Sequence, residues 1–168
     1  MIAGEYSVLE PDRREICVAV NRYMNAEIKE NDRNLLSLPQ LGLNNVTWDS
    51  DGVEVNFSSS DSKLTFIRNA IGTFNAFIAE KSIQPQAFSL MITSELDDSS
   101  GKKYGLGSSA AVVVTTITSL FKFYELKPTA ELIYKLSAIA HFKTQGNGSC
   151  PDIAASTYGG WIQYADFT

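Results

Sequence analysis

The sequence predicts an α+β fold, because strand-like segments come first and helical patterns come mostly later. Short runs that alternate in polarity or are rich in β-branched residues, each bounded by turn residues, predict strands at 3–9, 16–20, 25–30, 46–49, 53–57 and 88–94. The Asp51-Gly52 pair lies between two of these runs and predicts a β-hairpin, since glycine tolerates the positive φ of a tight turn. A regular βαβ repeat does not fit this order.

Two long amphipathic segments predict helices. Between residues 61 and 81 apolar side chains recur at the three-and-four spacing of one buried helix face, which is expected to cover the sheet: Leu64, Ile67, Ile71, Phe74 and Ile78. A second helix is expected to begin at 107–109, after a glycine-rich loop, and to run to Tyr124. Its apolar stripe comprises Val113, Ile117, Leu120 and Tyr124.

A third helix is predicted after Pro128, with Thr129 as its N-cap and Glu131 in the positive first turn. His141 lies near the apolar side of this helix, so a packed or surface histidine is expected rather than a catalytic one. The apolar side is expected to contain Leu132, Leu136, Ile139 and either Phe142 or Lys143.

A short fourth helix is predicted near the end of the sequence. Ser149 can cap it, Pro151 is tolerated in its first turn, and Asp152 completes a capping-box pattern with Ser149. The glycine pair at 159–160 ends this helix, and residues 161–164 alternate like a final strand.

Composition and charge narrow the class of protein. The 168 residues are 44% apolar, enough to bury a core in one compact unit, and the net charge of -5 argues against nucleic acid as the main partner. The sequence contains neither an export signal nor a long apolar span, so no membrane partner is expected. Cys17 and Cys150 match neither a disulfide framework nor a metal-ligand pattern, which predicts two buried or unreactive cytosolic thiols.

The most informative stretch runs from Gly105 to Ala111 and reads GLGSSAA. Its glycines permit close backbone approach, and unpaired amides at the following helix start favour an anion such as phosphate. The serine hydroxyls can add hydrogen bonds or a magnesium ligand, since Mg²⁺ prefers hard oxygen donors. The structural alternative is a tight loop whose small residues let the helix pack closely on a sheet.

This loop is neither a Walker A loop nor a dinucleotide GxGxxG motif; it resembles the phosphate loop of the GHMP kinases. Three other stretches support the resemblance, which covers essentially the whole chain. Residues 2–11 (IAGEYSVLEP) look like the family's first motif. The KKY run at 102–104, and QGNGS at 145–149 followed by Asp152 and by YGGW at 158–161, look like the phosphomevalonate kinase branch.

The resemblance implies a fold, an activity and cofactors. The fold is that of ribosomal protein S5 domain 2, an α+β arrangement with a mixed or antiparallel sheet covered on one face by helices. The implied reaction transfers the γ-phosphoryl group of ATP, with Mg²⁺, to mevalonate 5-phosphate in the cytoplasm. The alternatives are mevalonate kinase or another GHMP small-molecule kinase, and a non-catalytic nucleotide-binding fragment or subunit.

The resemblance also assigns a role to each matching residue. Ser109 matches the magnesium-contacting hydroxyl, and Asp152 matches the catalytic aspartate, which accepts the acceptor's proton or holds its attacking oxygen in line. From the residues alone, the serines can instead act as N-caps and Asp152 as the acid of a capping box. The ATP phosphates would contact Gly105, Leu106, Gly107, Ser108, Ser109 and Ala110.

For the phosphorylated acceptor, the matching residues are Glu5, Tyr6, Lys102, Lys103, Asn147 and Ser149. The two lysines can equally belong to a solvated charged loop, and Tyr6 to a strand face.

Three features of the family have no match here. The lysine that normally precedes the first motif is absent, because Met1 stands where that stretch ends. The acidic magnesium ligand of mevalonate kinases is missing from the 138–143 neighbourhood. The third is the family's C-terminal domain, so that residues 1–168 look like its N-terminal domain alone. Such a chain is expected to turn over slowly or not at all, and to associate with itself or with a complementary C-terminal fragment.

Overall fold

Two β-sheets are present in the computed structural model of the protein, which describes residues 1–4, 13–96, 105–148 and 150–165. The main sheet has the strand order β2-β6-β3-β4-β5, in which β3 and β6 are parallel and the other neighbours antiparallel. A smaller antiparallel sheet pairs β1 with β7. The strands are β1 (Glu15–Val18), β2 (Met24–Glu30), β3 (Leu35–Leu38), β4 (Leu43–Ser50), β5 (Val55–Phe57), β6 (Phe88–Ser94) and β7 (Trp161–Tyr164).

The described helices are α1 (Thr65–Glu80), α2 (Ser108–Phe123), α3 (Ala130–Gln145) and α4 (Pro151–Tyr158). Helices α1 and α2 pack against the main sheet, and α3 packs on both of them. Alternate side chains of the strands, such as Leu36, Trp48 and Leu90, join the buried core with side chains of the helices, whereas Met91 on the other face is exposed. The α+β prediction is therefore confirmed, and α4 lies between α2, α3 and the smaller sheet.

Helix α1 forms the centre of the core. Every residue of its predicted stripe is buried, and the ring of Phe74 meets that of Phe121 from α2 edge-on with centroids 5.0 Å apart. Fully burying such a side chain stabilises a fold by about 1.5–3 kcal/mol. A 3-10 turn (Ser62–Leu64) precedes α1, and the Asp61 side chain caps this turn by accepting from the Lys63 amide at 2.9 Å.

The predicted hairpin joins β4 to β5 and packs directly on α1. Gly52 has a φ of +108°, which only glycine adopts without strain. Gly72 lies in the middle of α1, where a Cβ would stand 2.6 Å from the carbonyl oxygen of Val53. The absence of a side chain at Gly72 therefore lets the hairpin turn approach the helix backbone.

The structure corrects the predicted face of α3. Thr129 does cap this helix, accepting from the Leu132 amide at 3.2 Å, but Ile139 and Phe142 are 49% and 54% exposed. Lys143 is exposed too, so the predicted stripe is wrong beyond Leu136. Residues with small or polar side chains are buried instead, because α3 packs closely on both α1 and α2: Ser137, Ala140 and His141.

Strand β3 was not predicted from the sequence. It is a four-residue segment that lies inside the main sheet, parallel to β6 and antiparallel to β4. Such a short apolar run shows no clear alternation, and its partner β6 is distant in sequence. The predicted strand at 3–9 is described only up to Gly4, and within that part Ala3 forms a bridge with Ile16; residues 5–9 lie outside the described part of the chain. Among the described helices, none is both long and apolar enough to cross a membrane.

We expect Gly72→Ala to destabilise the protein although alanine is the better helix former by about 1 kcal/mol. The new Cβ would push the hairpin away from α1, and overpacking of this kind costs about 1–3 kcal/mol. Urea unfolding of the variant should give a lower free energy of unfolding than wild type, with the exposed Glu80→Ala on the same helix as the control. A Gly72→Ala protein more stable than wild type would contradict the close approach.

Candidate functional site

The loop entering α2 presents backbone amides that have no acceptor among the described residues. Gly105 and Gly107 have φ values of +71° and +76°, and Gly107 is the N-cap residue. The first internal hydrogen bond of α2 runs from the Ala111 amide to the Gly107 carbonyl at 3.0 Å. Within the described residues, the amides of Ser108 and Ala110 and the one between them therefore have no acceptor. Amides at a helix N-terminus form a binding site for an anion.

Asp152 lies against this loop, at the start of α4. A Cβ at Gly107 would stand 3.5 Å from the Asp152 Cβ and 3.9 Å from its Oδ2. The other carboxylate oxygen, Oδ1, accepts from the Ile153 amide at 2.9 Å. The N-termini of α2 and α4 therefore meet, with one oxygen of Asp152 held by its own helix and the other beside the glycine loop.

An apolar cluster behind the loop holds the two helix ends together. Ala110 and Ile153 are fully buried, and they pack with Val114. Ala110 is small, so α4 can come close to the first turn of α2.

The capping-box prediction for Asp152 is wrong. The N-cap of α4 is Cys150, in a left-handed conformation with a φ of +62°, and α4 begins at Pro151 as predicted. Asp152 is thus one position too early for the acid of a capping box. Ser149, the predicted cap, lies outside the described residues. The carboxylate is left available to a ligand near the loop.

The serines of the loop do not act as N-caps either. The N-cap of α2 is a glycine, and no side chain caps this helix end in the described structure. The Ser109 hydroxyl instead lies 3.3 Å from His141 Nε2. His141 is 4% exposed, and its ring packs on Phe66 with centroids 5.2 Å apart.

Sequence reasoning correctly predicted a packed His141 but missed its contact with Ser109. Burial lowers the pKa of His141 below its ordinary value, while the negative charge of Asp152 acts in the opposite direction. The position of His141 was the one hint in the sequence, because the resemblance implies an acidic magnesium ligand near residues 138–143. In the structure, the imidazole of His141 contacts the Ser109 hydroxyl from that segment.

The protein donors near the loop fit Mg²⁺ only in combination with other ligands. The Ser109 hydroxyl and the Asp152 carboxylate are hard oxygen donors, which suit this ion. No group of three or more His, Cys, Asp or Glu side chains that could hold a metal is found in the part of the chain that the structure describes. Any Mg²⁺ at this loop would therefore depend on phosphate oxygens and water for most of its coordination.

A cavity of about 250 Å³ opens beside Ser108 and Ser109. Its walls come from the ends of β2 and β6, the 3-10 turn Pro39–Leu41, and the first turns of α1 and α2. Most of its surface is apolar, formed by Met24, Leu38, Leu41, Phe66, Ile67, Ile92 and Val112. These residues are scattered along the sequence, so no local motif could have revealed the cavity.

The rim of this apolar cavity is held by Gln40. Its side-chain amide donates to the Ser94 carbonyl and accepts from the Ser94 amide, both at 2.6 Å. This paired contact ties the Gln40 side chain to the last residue of β6 and fixes the cavity edge.

The other predicted site residues are only partly placed. Glu5, Tyr6, Lys102, Lys103 and Ser149 lie outside the described residues. Asn147 is exposed, just after the left-handed cap Gly146 of α3, and Leu106 is 42% exposed on the loop. The structure thus brings the glycine loop and Asp152 together, and the contacts to the acceptor stay a prediction.

Cys17 lies near the site but is not reactive. Its side chain is 2% exposed, and its thiol lies 3.6 Å from the Pro151 carbonyl. Burial, with the nearby Glu15 carboxylate, raises the pKa of the Cys17 thiol. A protonated buried thiol is a poor nucleophile, which agrees with the predicted unreactive cysteine.

Comparison with known sequences identifies related proteins. A model of the GHMP kinases N terminal domain matches residues 66–160, which include the loop and Asp152. A phosphomevalonate kinase of Streptomyces sp. (strain CL190) is 33% identical over 97% of this chain and 46% of its own length. A mevalonate kinase of Saccharolobus solfataricus is 29% identical over 96% of this chain and 47% of its own length.

A solved structure shares the fold. Streptococcus pneumoniae phosphomevalonate kinase in complex with phosphomevalonate and AMPPNP superposes with a TM-score of 0.82 at 28% identity, covering 99% of this chain and 47% of that one. The expected ribosomal-protein-S5-domain-2-like fold is therefore confirmed. The chain spans about half the length of the relatives it matches.

We expect acidification to destabilise the protein through His141. Because burial lowers the pKa of His141 in the folded state, the unfolded chain binds a proton first as the pH falls below about 6.5. The free energy of unfolding should then decrease, by at most about 1.4 kcal/mol per pH unit, until the folded-state pKa is reached.

Urea unfolding from about pH 7.5 to about pH 5.5 measures this slope. The sequence contains a single histidine, so His141→Gln should remove the slope in this range. A variant that keeps the wild-type slope would show that another group is responsible.

Proposed function

Because the chain belongs to the GHMP kinase family, we propose that it forms the ATP-binding domain of a kinase that phosphorylates mevalonate 5-phosphate. The reaction breaks the bond between the β- and γ-phosphates of ATP and forms a new bond to a phosphate oxygen of the acceptor, giving the diphosphate and ADP. In this proposal residues 1–168 act as one N-terminal domain. The observation that carries the proposal is the set of amides at the start of α2 that have no acceptor in the described part of the chain and lie against Asp152.

The loop would bind the ATP phosphates. The amides at the start of α2 donate to phosphate oxygens, and the left-handed glycines let the phosphates approach the backbone closely. Leu106 and Ala110 would contribute through the backbone, and the Ser108 hydroxyl as a further donor. This supplies positive potential in a chain whose net charge is -5.

Asp152 would be the catalytic residue. Its Oδ1 is held by the Ile153 amide, so Oδ2 beside Gly107 is the atom placed to hold the attacking oxygen in line or to accept its proton. Catalysis is then mostly positioning and charge stabilisation. Bound Mg²⁺ would neutralise phosphate charge that Asp152 otherwise repels.

Ser109 is proposed to contribute the hydroxyl ligand of Mg²⁺. Its contact with the buried His141 fixes the rotamer of the hydroxyl, since the imidazole is itself packed on Phe66. A preset rotamer lowers the entropy lost when the ion and the phosphates bind.

The apolar cavity beside Ser108 is proposed to hold the purine ring of ATP. A cavity of about 250 Å³ with apolar walls suits a flat heterocycle, and it lies next to the residues that would bind the phosphates. Gln40, Ser94 and Lys63 are among the polar residues that line it.

For the acceptor, we propose contacts from Glu5, Tyr6, Lys102, Lys103, Asn147 and Ser149. The two lysines would complement the phosphate group that the acceptor already carries. Support comes from the sequence motifs and from the named ligand of the pneumococcal enzyme, which is phosphomevalonate.

Two other functions fit the family. Mevalonate kinase is supported by the similarity to the archaeal enzyme at 29% identity. A non-catalytic nucleotide-binding protein would need only the amides of the loop and would not use Asp152. The three functions differ in acceptor and turnover, so one assay separates them.

The central test is ADP release with mevalonate 5-phosphate and with mevalonate. It should be run on this chain and on a polypeptide that joins it to a segment matching the remaining half of the relatives. We expect the joined polypeptide to turn over mevalonate 5-phosphate, with little or no turnover by residues 1–168 alone. Asp152→Asn in the joined polypeptide should decrease turnover by about 10²- to 10⁴-fold, as for loss of a general base.

The exposed Asp49→Asn on β4 is the matched control and should keep wild-type turnover. Unchanged turnover in Asp152→Asn would reject its role. Equal rates with both acceptors would favour mevalonate kinase, and ATP binding without turnover in either polypeptide would favour the non-catalytic function.

We expect Val112→Phe to weaken ATP binding by filling the apolar cavity. An overpacked site loses about 1–3 kcal/mol, which is roughly tenfold or more in affinity. Calorimetric titration should show weaker binding of ATP but unchanged binding of inorganic triphosphate, which does not use the cavity. Ile139→Phe on the exposed side of α3 is the control, and equal ATP affinity in Val112→Phe would place the purine elsewhere.

A further inference from the structure

A second cavity, of about 280 Å³, lies between the β4–β5 hairpin and helices α1 and α3. It shares no lining residue with the apolar cavity. Helix α1 borders both cavities, with Ile67 lining the apolar one and Arg68 the second one. The two cavities are thus separate binding spaces on a common helix.

The second cavity contains two cationic side chains. Arg68 enters it from α1 and Lys143 from the end of α3. Among the described residues neither cation forms an ion pair. Lys143 Nζ lies 3.5 Å from the Thr73 hydroxyl, a long contact with a neutral group. Two cations against the single carboxylate of Glu54 give this cavity a net positive charge, which favours an anionic ligand.

Arg68 supplies the second observation. Its Nε is buried and has no hydrogen-bond partner within the described structure, although buried polar atoms are normally paired. Its guanidinium lies 5.9 Å from the centre of the Phe57 ring, which holds the side chain over β5. The contact with Phe57 therefore orients the guanidinium of a residue that lines the cavity.

We propose that this cavity binds a small phosphate monoester. The guanidinium fork matches the oxygens of a phosphate, and Lys143 adds a second charge. Asn56 and Asn69 provide amide groups for the remainder of the ligand. Glu54 also lines the cavity, and its carboxylate would repel an extended polyanion while accepting a hydrogen bond from a ligand hydroxyl.

The cavity is formed without rearrangement of the fold. Gly72 lets the Val53 carbonyl approach α1, and Asn75 donates to the Ser50 hydroxyl at 3.2 Å, so the hairpin is held at the edge of the cavity. Asn69 donates to Thr144 at 2.7 Å, which connects α1 to α3. Binding would therefore lose little energy to ordering.

The test is a titration of the ¹⁵N-labelled chain with inorganic phosphate, followed by amide NMR shifts. The amides of Asn69, Thr73 and Lys143 report on the second cavity, and those of Gly107 and Ser109 report on the phosphate loop. We expect both groups to shift. Lys143→Gln and Arg68→Gln should weaken the response of the second cavity roughly tenfold, since a hydrogen bond to a charged group contributes about 1.5–3 kcal/mol.

Lys122→Gln, on the last turn of α2, is the matched control and should leave both responses unchanged. Because Lys143 is exposed, Lys143→Gln should leave the fold intact. It therefore tests the proposal even if Arg68→Gln unfolds the protein. Shifts confined to the phosphate loop would overturn the proposal. An equal phosphate affinity of the second cavity in Lys143→Gln and in Lys122→Gln would overturn it too. Acetate binding in the second cavity as tightly as phosphate would overturn the phosphate assignment.

Discussion

The close meeting of the α2 and α4 N-termini across Gly107 is the contact on which the candidate site depends. It brings unpaired amides and a carboxylate within a few ångströms, and it requires both a glycine in the left-handed region and a small residue at Ala110 behind it. Ile153 and Val114 supply the apolar contact that holds the helices at this distance. Burial of apolar surface therefore supports a polar constellation that would not assemble by itself, because amides and a carboxylate are both well solvated in water.

The walls of the site come from elements that also build the core. Helix α1 buries Phe74 among aromatic rings on one side and turns Phe66 and Ile67 toward the apolar cavity at its start. The same helix contacts the hairpin through Gly72. Since a packed helix moves as a rigid unit, both cavities have a common, well-supported wall.

Electrostatics in this acidic chain are local. Because a net charge of -5 gives no general positive field, the two proposed anion sites would depend on oriented amides at the loop and on two neighbouring cations in the second cavity. Burial keeps His141 neutral beside Ser109, which places a hydrogen-bonding group there without adding charge next to Asp152. The site thus separates the groups that orient a ligand from those that carry charge.

The sequence by itself determined the elements whose signal is local. The stripe of α1, the Thr129 cap, the Asp51-Gly52 hairpin, strand β6 and the glycine loop all follow from spacing or from backbone conformation, and they were predicted correctly.

Only the tertiary structure decided the features that depend on which surfaces meet. The buried face of α3 was set by its neighbours α1 and α2, so side chains as small or polar as Ser137 and His141 replaced the predicted apolar ones. Strand β3, the apolar cavity and the His141–Ser109 contact join residues far apart in sequence. Local propensity contains no information about such pairs, because their energy comes from packing that exists only after the chain has folded.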